Sequence, residues 1–214
     1  MTDRLLVPSQ KIVLVNGSGI PKPADNQNTD DILPARFMKE TTFKRMGEYV
    51  YFDERFKDGQ KVVEHPFNNP KYSRGSILIA GANYGTGSSR EHAPQGLYRF
   101  GIRGIIAESY ADIFDGNCAT IGIAAVRISR EDISLLVKRV EKDPETNVAV
   151  NLLAKTVSYI DKIVGCEIPE GTRQALINGS WDAFSVLQRN EDKAREVATR
   201  LPYLSFQCFK PQFS

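Results

Sequence analysis

The sequence predicts an α/β fold, a mixed sheet flanked by helices, with residues 1–214 as one domain and a helical tail from about residue 169. Three observations carry this. Between residues 76 and 142, short apolar runs alternate with stretches of helical period. Two further strand-like runs, V-A-V-N-L-L and K-T-V-S-Y-I, follow with only a tight turn between them, so antiparallel pairing joins the alternating part. A chain of 214 residues is also long enough to bury a core of its own.

The elements follow in order. K-I-V-L-V at 11–15 reads as a strand ended by the turn signal Asn16-Gly17. Residues 17–31 are rich in glycine, proline and asparagine and read as a surface loop, long enough to carry a function. That loop runs into T-D-D-I-L-P-A-R-F, where Ile32 and Leu33 anchor a short turn or helix. Residues 37–60 mix charges with aromatics, as a helical or irregular excursion does, and 66–75 form another loop. S-I-L-I-A at 76–80 is a strand, followed by a helix over 91–100 with Pro94 in its first turn. R-G-I-I-A is the next strand, and Y-A-D-I-F-D-G-N a short helix ending near Gly116. I-A-A-V is a strand, and residues 129–142 an amphipathic helix with Ser129 as N-cap and Asp132 three positions on. Beyond Pro169 the stretches 170–179, 181–190 and 191–200 read as helical, and Pro202 stops the last.

Composition narrows the function classes. A formal net charge of +2 gives no footprint for nucleic acid or a membrane surface. No apolar run approaches the ~18 residues of a membrane span. The first residues lack the apolar core of a signal peptide, so a cytoplasmic location is expected. Cysteines at 118, 166 and 208 are odd in number and widely spaced, and the two histidines are far apart. This pattern argues against a disulfide framework, a structural zinc or a complete iron–sulfur site within the chain. Cys118 reads as a partly buried thiol.

The chemistry concentrates at residues 81–92, G-A-N-Y-G-T-G-S-S-R-E-H. Glycines after a strand let the backbone approach a ligand, and a following helix offers free N–H groups and a positive dipole end. Ser88, Ser89 and Arg90 add hydroxyls and a fork matched to a carboxylate, which points to a carboxylate or phosphate ligand at 85–90. The stretch lacks the lysine of a Walker loop and the third glycine of the dinucleotide fingerprint. A tight turn in which Ser88 or Ser89 caps the helix is the alternative from local physics. D-D-I-L-P-A-R brings Asp30, Asp31 and Arg36 close together as a second polar cluster.

Taken together, N-T-D-D-I-L-P-A-R-F, G-A-N-Y-G-T-G-S-S-R-E-H-A and A-E-S-Y-A-D-I-F-D-G-N-C-A-T-I-G-I resemble the small subunits of 3-isopropylmalate dehydratases, which are similar to the swivelling fourth domain of aconitase. The resemblance spans roughly residues 10 to 200. It implies a β/β/α swivel domain and a hydro-lyase active only with a large subunit. In this family a [4Fe–4S] cluster acts as Lewis acid and a serine alkoxide removes the proton from the adjacent carbon. By position, Ser88 matches that base, and Ser89 and Arg90 match the pair that holds substrate. Arg36 matches an arginine that grips a substrate carboxylate, and Asp30 an aspartate that pairs with a histidine of the catalytic core. The resemblance assigns the cluster and its cysteines to the large-subunit partner and implies a small hydroxy-diacid substrate. Thr86 stands where many relatives have cysteine, and Asn28 where aspartate is common. The implied reaction interconverts 2- and 3-isopropylmalate in leucine biosynthesis. Other 2-hydroxy diacids (methylmalate, dimethylmalate or homoaconitate types) and a non-catalytic anion-binding module are the alternatives.

Overall fold

The computed structural model describes residues 11–40, 42–88, 91–182, 186 and 190–201. Strand β1, Leu14–Lys22, lies in the middle of a mixed sheet that has seven strands among the described residues. On one side it pairs in parallel with β4 (Gly75–Ala80), which is followed outward by β5 (Gly104–Ala107) and β6 (Ala124–Arg127), all parallel. On the other it pairs antiparallel with β7 (Asn147–Asn151), followed by β8 (Thr156–Tyr159) and β9 (Lys162–Gly165).

The first strand does not stop at Asn16-Gly17. It continues through G-S-G-I-P-K, because a ladder on each flank outweighs the local turn signal. Leu14–Ser18 pair with β7 and Ser18–Lys22 with β4, the register shifting between Ser18 and Gly19. Pro21 falls where β7 no longer pairs, so its missing N–H breaks no bond on that side. The glycines serve close approach rather than a turn. A Cβ at Gly19 would lie 2.9 Å from Ile79 Cδ1 and 3.0 Å from Val140 Cγ2. The true surface loop is therefore shorter than 17–31 and begins only after Lys22.

Both faces of the parallel half are covered, which is why its strands read as unbroken apolar runs. In β4, Ile77 and Ile79 join one core, and Leu78 and Ala80 the other. Helix α6 (Arg130–Lys142) covers the first face with Ile133, Leu136, Val137 and Val140. Its N-cap is Ser129, whose Oγ accepts from the Asp132 amide at 3.1 Å and donates to the Asp132 carboxylate at 2.8 Å. The second face is covered by Leu97 of α4 (His92–Phe100), Ile32 of α1 (Thr29–Ile32) and Met46 of α2 (Met46–Tyr49).

Residues 37–60 form the expected excursion. They comprise 3-10 turns at Ala35–Lys39 and Phe43–Arg45, then α2, α3 (Phe52–Arg55) and a small hairpin of β2 (Phe56–Lys57) and β3 (Gln60–Lys61). Helix α5 spans Phe114–Ala119, so it starts four residues later than expected and contains Gly116. Tyr110 is diverted into a bridge with Tyr84, and its hydroxyl donates to the Ile105 carbonyl at 2.8 Å. Strand β9 was not expected, since its four residues alternate only weakly. In the tail, α7 (Glu170–Asn178) and α8 (Glu191–Arg200) are as expected. Most of the expected helix at 181–190, the stop at Pro202 and Cys208 lie outside the described residues.

One buried contact ties the excursion to the glycine loop. Tyr51 and Tyr84, both fully buried, share a hydrogen bond of 2.6 Å between their hydroxyls. Burial holds both phenols well above their usual range, so each stays protonated. Tyr51→Phe strands the Tyr84 hydroxyl and is expected to cost about 1–3 kcal/mol in urea unfolding, whereas Tyr51→Phe/Tyr84→Phe costs less than the two single changes added.

Candidate active site

The glycine loop leaves the C-terminal end of β4 and is bound along both edges. On one edge, the Asn26 amide donates to the Ala82 carbonyl (2.8 Å), the Gly85 amide to Gln27 (2.8 Å) and the Thr29 amide to Thr86 (2.7 Å). On the other, the Tyr84 amide donates to Ser109 and the Ala111 amide to Tyr84, both at 3.0 Å. Asp25 accepts from the Ala82 amide at 2.7 Å and from Arg130 at 2.9 Å, and Arg130 also reaches Glu108 at 2.7 Å. The Ala82 amide, then Arg130, hold the Asp25 carboxyl below its usual range.

Glycine is required at two positions. Gly85 (φ +81°) would bring a Cβ to 2.1 Å from the Phe114 ring, and Gly87 (φ +100°) to 2.6 Å from Asn28 Oδ1. These contacts let the loop lie against its neighbours and end on Ser88.

The Ser88 amide donates to Thr29 Oγ1 at 2.9 Å, and Thr29 is 2% exposed. Ser88 lines a cleft of about 240 Å³ between the glycine loop and residues 111–114. The next residue after Thr29 is Asp30, exposed in the first turn of α1. Asn28 caps that helix. Its Oδ1 accepts from the Asp30 amide at 2.9 Å, and its own amide donates to Asp31 at 3.0 Å. Asparagine thus performs the cap that aspartate would.

Ser88 is not a helix cap. Helix α4 begins at His92 with Glu91 as N-cap, so its dipole end lies further along the chain than expected. Ser89 and Arg90 lie outside the described residues. Nor does Arg36 pair with Asp30 or Asp31. It donates through Nη1 to Asp53 Oδ2 at 2.8 Å and through Nη2 to Asp53 Oδ1, with its guanidinium 4.7 Å from the Phe37 ring centroid.

The sequence reading missed Thr29, Asp53 and a polar cluster beneath the loop. In that cluster Lys22, 9% exposed at the end of β1, donates to Glu54 at 2.8 Å and lies 4.5 Å from the Tyr51 ring centroid. His65 Nε2 lies 3.3 Å from the same carboxylate oxygen, and its Nδ1 accepts from the Phe67 amide at 3.2 Å. His65, against the opposing effect of burial, and then Lys22 hold the Glu54 carboxyl down to about 2. The acidic D-E pair at 53–54 was the only available signal, and its partners are remote in sequence.

Among the described residues no three His, Cys, Asp or Glu side chains converge as a metal site. Cys118 and Cys166 are both buried, one in each core, and burial pushes both thiols up. No helix among the described residues is long and apolar enough to cross a membrane.

Residues 10–131 match the Aconitase C-terminal domain family. The 3-isopropylmalate dehydratase small subunit of Thermus thermophilus is 39% identical over 194 residues, covering 91% of this chain and 96% of its own. The chain belongs to this small-subunit family. The corresponding protein of Synechocystis is 37% identical over 193 residues, covering 90% and 95%. A crystal structure of a 3-isopropylmalate dehydratase from Methanocaldococcus jannaschii shares the fold, with a TM-score of 0.64 and 22% identity over 86% of this chain and 99% of that one. The family's α/β architecture is thus the one seen here, with a mixed sheet flanked by helices.

Two outcomes follow from the geometry. Gly85→Ala combines a strained φ with a clash on a buried ring, and is expected to cost at least about 2 kcal/mol in thermal unfolding. Glu54 has a folded pKa below its usual 4.5, so its stabilisation is complete above that pH and is lost as pH falls towards about 2. The carboxylate is 38% exposed, and solvent screening reduces the contribution to the order of 1 kcal/mol. Glu54→Gln should be less stable at pH 7 and show a flatter loss of stability between pH 4.5 and 2 than the parent.

Proposed function

We propose that this chain is the small subunit of a hydro-lyase that interconverts 2-isopropylmalate and 3-isopropylmalate by dehydration and rehydration in leucine biosynthesis, with Ser88 as its base. The small-subunit relatives support a larger partner. The chain then acts as one swivelling domain, in the cytoplasm, that carries its side chains to a site on that partner. A [4Fe–4S] cluster, for which the described residues offer no ligand set, belongs to the large subunit and supplies Lewis acidity at the substrate hydroxyl and carboxylate.

The single observation that carries the reading is the anchorage of Ser88 by Thr29 at a cleft beside the glycine loop. A free hydroxyl is a feeble base. It becomes useful only when fixed, and when nearby N–H groups and a guanidinium favour its alkoxide. Arg90 supplies that charge two residues away, and Ser89 holds substrate with it. Ser88 takes the proton from the carbon beside the hydroxyl-bearing one and returns it on rehydration. Arg36 forks the far carboxylate of the diacid, which fixes the reacting carbon against Ser88. Asp30 orients a histidine of the partner.

In the enzyme assembled with its large subunit, Ser88→Ala should lower kcat by at least about 10²-fold while leaving the two subunits co-eluting. The check is steady-state turnover of isopropylmalate beside size-exclusion chromatography. Retained turnover would remove Ser88 from the chemistry. A parent chain that joins no large subunit and gives no turnover would be an anion-binding module instead.

A further inference from the structure

We propose that Asp53 is a positioning residue that holds the Arg36 guanidinium on an aromatic shelf and leaves its Nε–Nη2 edge for a substrate carboxylate. The inference rests on the reading of Arg36 as a carboxylate clamp.

A guanidinium offers two bidentate edges, one end-on through both Nη groups and one side-on through Nε and Nη2. Asp53 occupies the end-on edge. No described residue occupies the side-on edge. The plane is set by two rings, Phe37 at 4.7 Å and Phe52 at 5.6 Å from Arg36 Cζ. Phe37 is itself stacked on Tyr49, with centroids 4.0 Å apart and planes 1° from parallel.

Asp53 is a firm anchor because every charged neighbour on its helical turn is tied elsewhere. Glu54 is held by Lys22 and His65. Arg55 donates to Asn68 and to the Val50 carbonyl, each at 2.9 Å. Tyr51, just before the turn, is bonded to Tyr84 in the glycine loop. Tyr51 and the four-residue helix that follows it therefore span from the glycine loop to the arginine on a different segment.

The pair is weak as a source of stability, since its side chains are 53% and 60% exposed. Its effect is on orientation. An exposed arginine loses rotamer freedom when it grips a ligand, and one already held loses less. Asp53 also withdraws net charge from the site, so only an anion that meets the free edge squarely gains from it.

The test uses the chain assembled with its large subunit. Asp53→Asn is nearly isosteric and should raise KM for isopropylmalate about fivefold with kcat within about twofold. Asp53→Glu should recover part of the loss. On an Arg36→Ala background, Asp53→Asn should add nothing. A second reading comes from the isolated chain labelled with 15N-arginine, where the Arg36 Nε–H signal should broaden in Asp53→Asn. An unchanged or lowered KM, an additive effect on the Arg36→Ala background, or an unaltered Nε–H signal would overturn the proposal. The two levels separate cleanly. If Arg36→Ala raises KM and Asp53→Asn does not, only the positioning role falls. If Arg36→Ala leaves KM unchanged, the clamp itself is wrong and the positioning role falls with it.

Discussion

The close approach of residues 25–29 to the glycine loop is the constraint on which the site depends. It is made largely of main-chain bonds, to which the Asp25 carboxylate and the Thr29 hydroxyl add acceptors for the Ala82 and Ser88 amides. Four amide–carbonyl bonds along one edge satisfy groups that a surface loop would otherwise leave to water. The approach is possible only where no Cβ intervenes, and Phe114 and Asn28 occupy the space that side chains at 85 and 87 would need. Thr29 then spends its hydroxyl on the Ser88 amide. If Ser88 is the base proposed above, this anchorage orders it before substrate arrives rather than at each turnover.

A second layer of order comes from the excursion between α1 and β4. Its residues 51–55 reach four different parts of the molecule: the glycine loop through Tyr51, the Arg36 turn through Asp53, the end of β1 through Glu54, and the 65–69 turn through Arg55. The Lys22–Glu54 contact carries a desolvation cost, because the lysine is nearly buried. It is tolerated because the carboxylate meets two cationic or N–H donors and remains partly hydrated.

Much of this architecture was legible in the residues, and the exceptions have physical reasons. The strands at 76–80, 104–107 and 124–127 were readable because burial on both faces demands apolar runs. The extent of β1 was not, since Asn16-Gly17 is a genuine turn signal locally and only the ladders of β4 and β7 override it. Helix α5 was misplaced because Tyr110 looks like an ordinary first-turn aromatic until its hydroxyl finds the Ile105 carbonyl. The Ser88 position was legible from the pattern of its neighbours. Thr29 as its anchor and Asp53 as the partner of Arg36 were not, because each contact joins segments remote in sequence and neither leaves a local period or spacing to read.

The divided pairing of β1 bears on how the molecule comes together in time. Its partner on one side is about sixty residues downstream, with Ser18 opposite Gly75, whereas on the other side Leu14 lies opposite Asn151. Loop closure over the longer span is the more costly and the slower. The strands of the parallel half and the glycine loop all precede β7 in the chain, so during synthesis that half is available to assemble first, with one flank of β1 open. That open flank is a template for any passing strand. The arrival of β7 to β9 fills that flank and moves the open edge outward to the short strand β9.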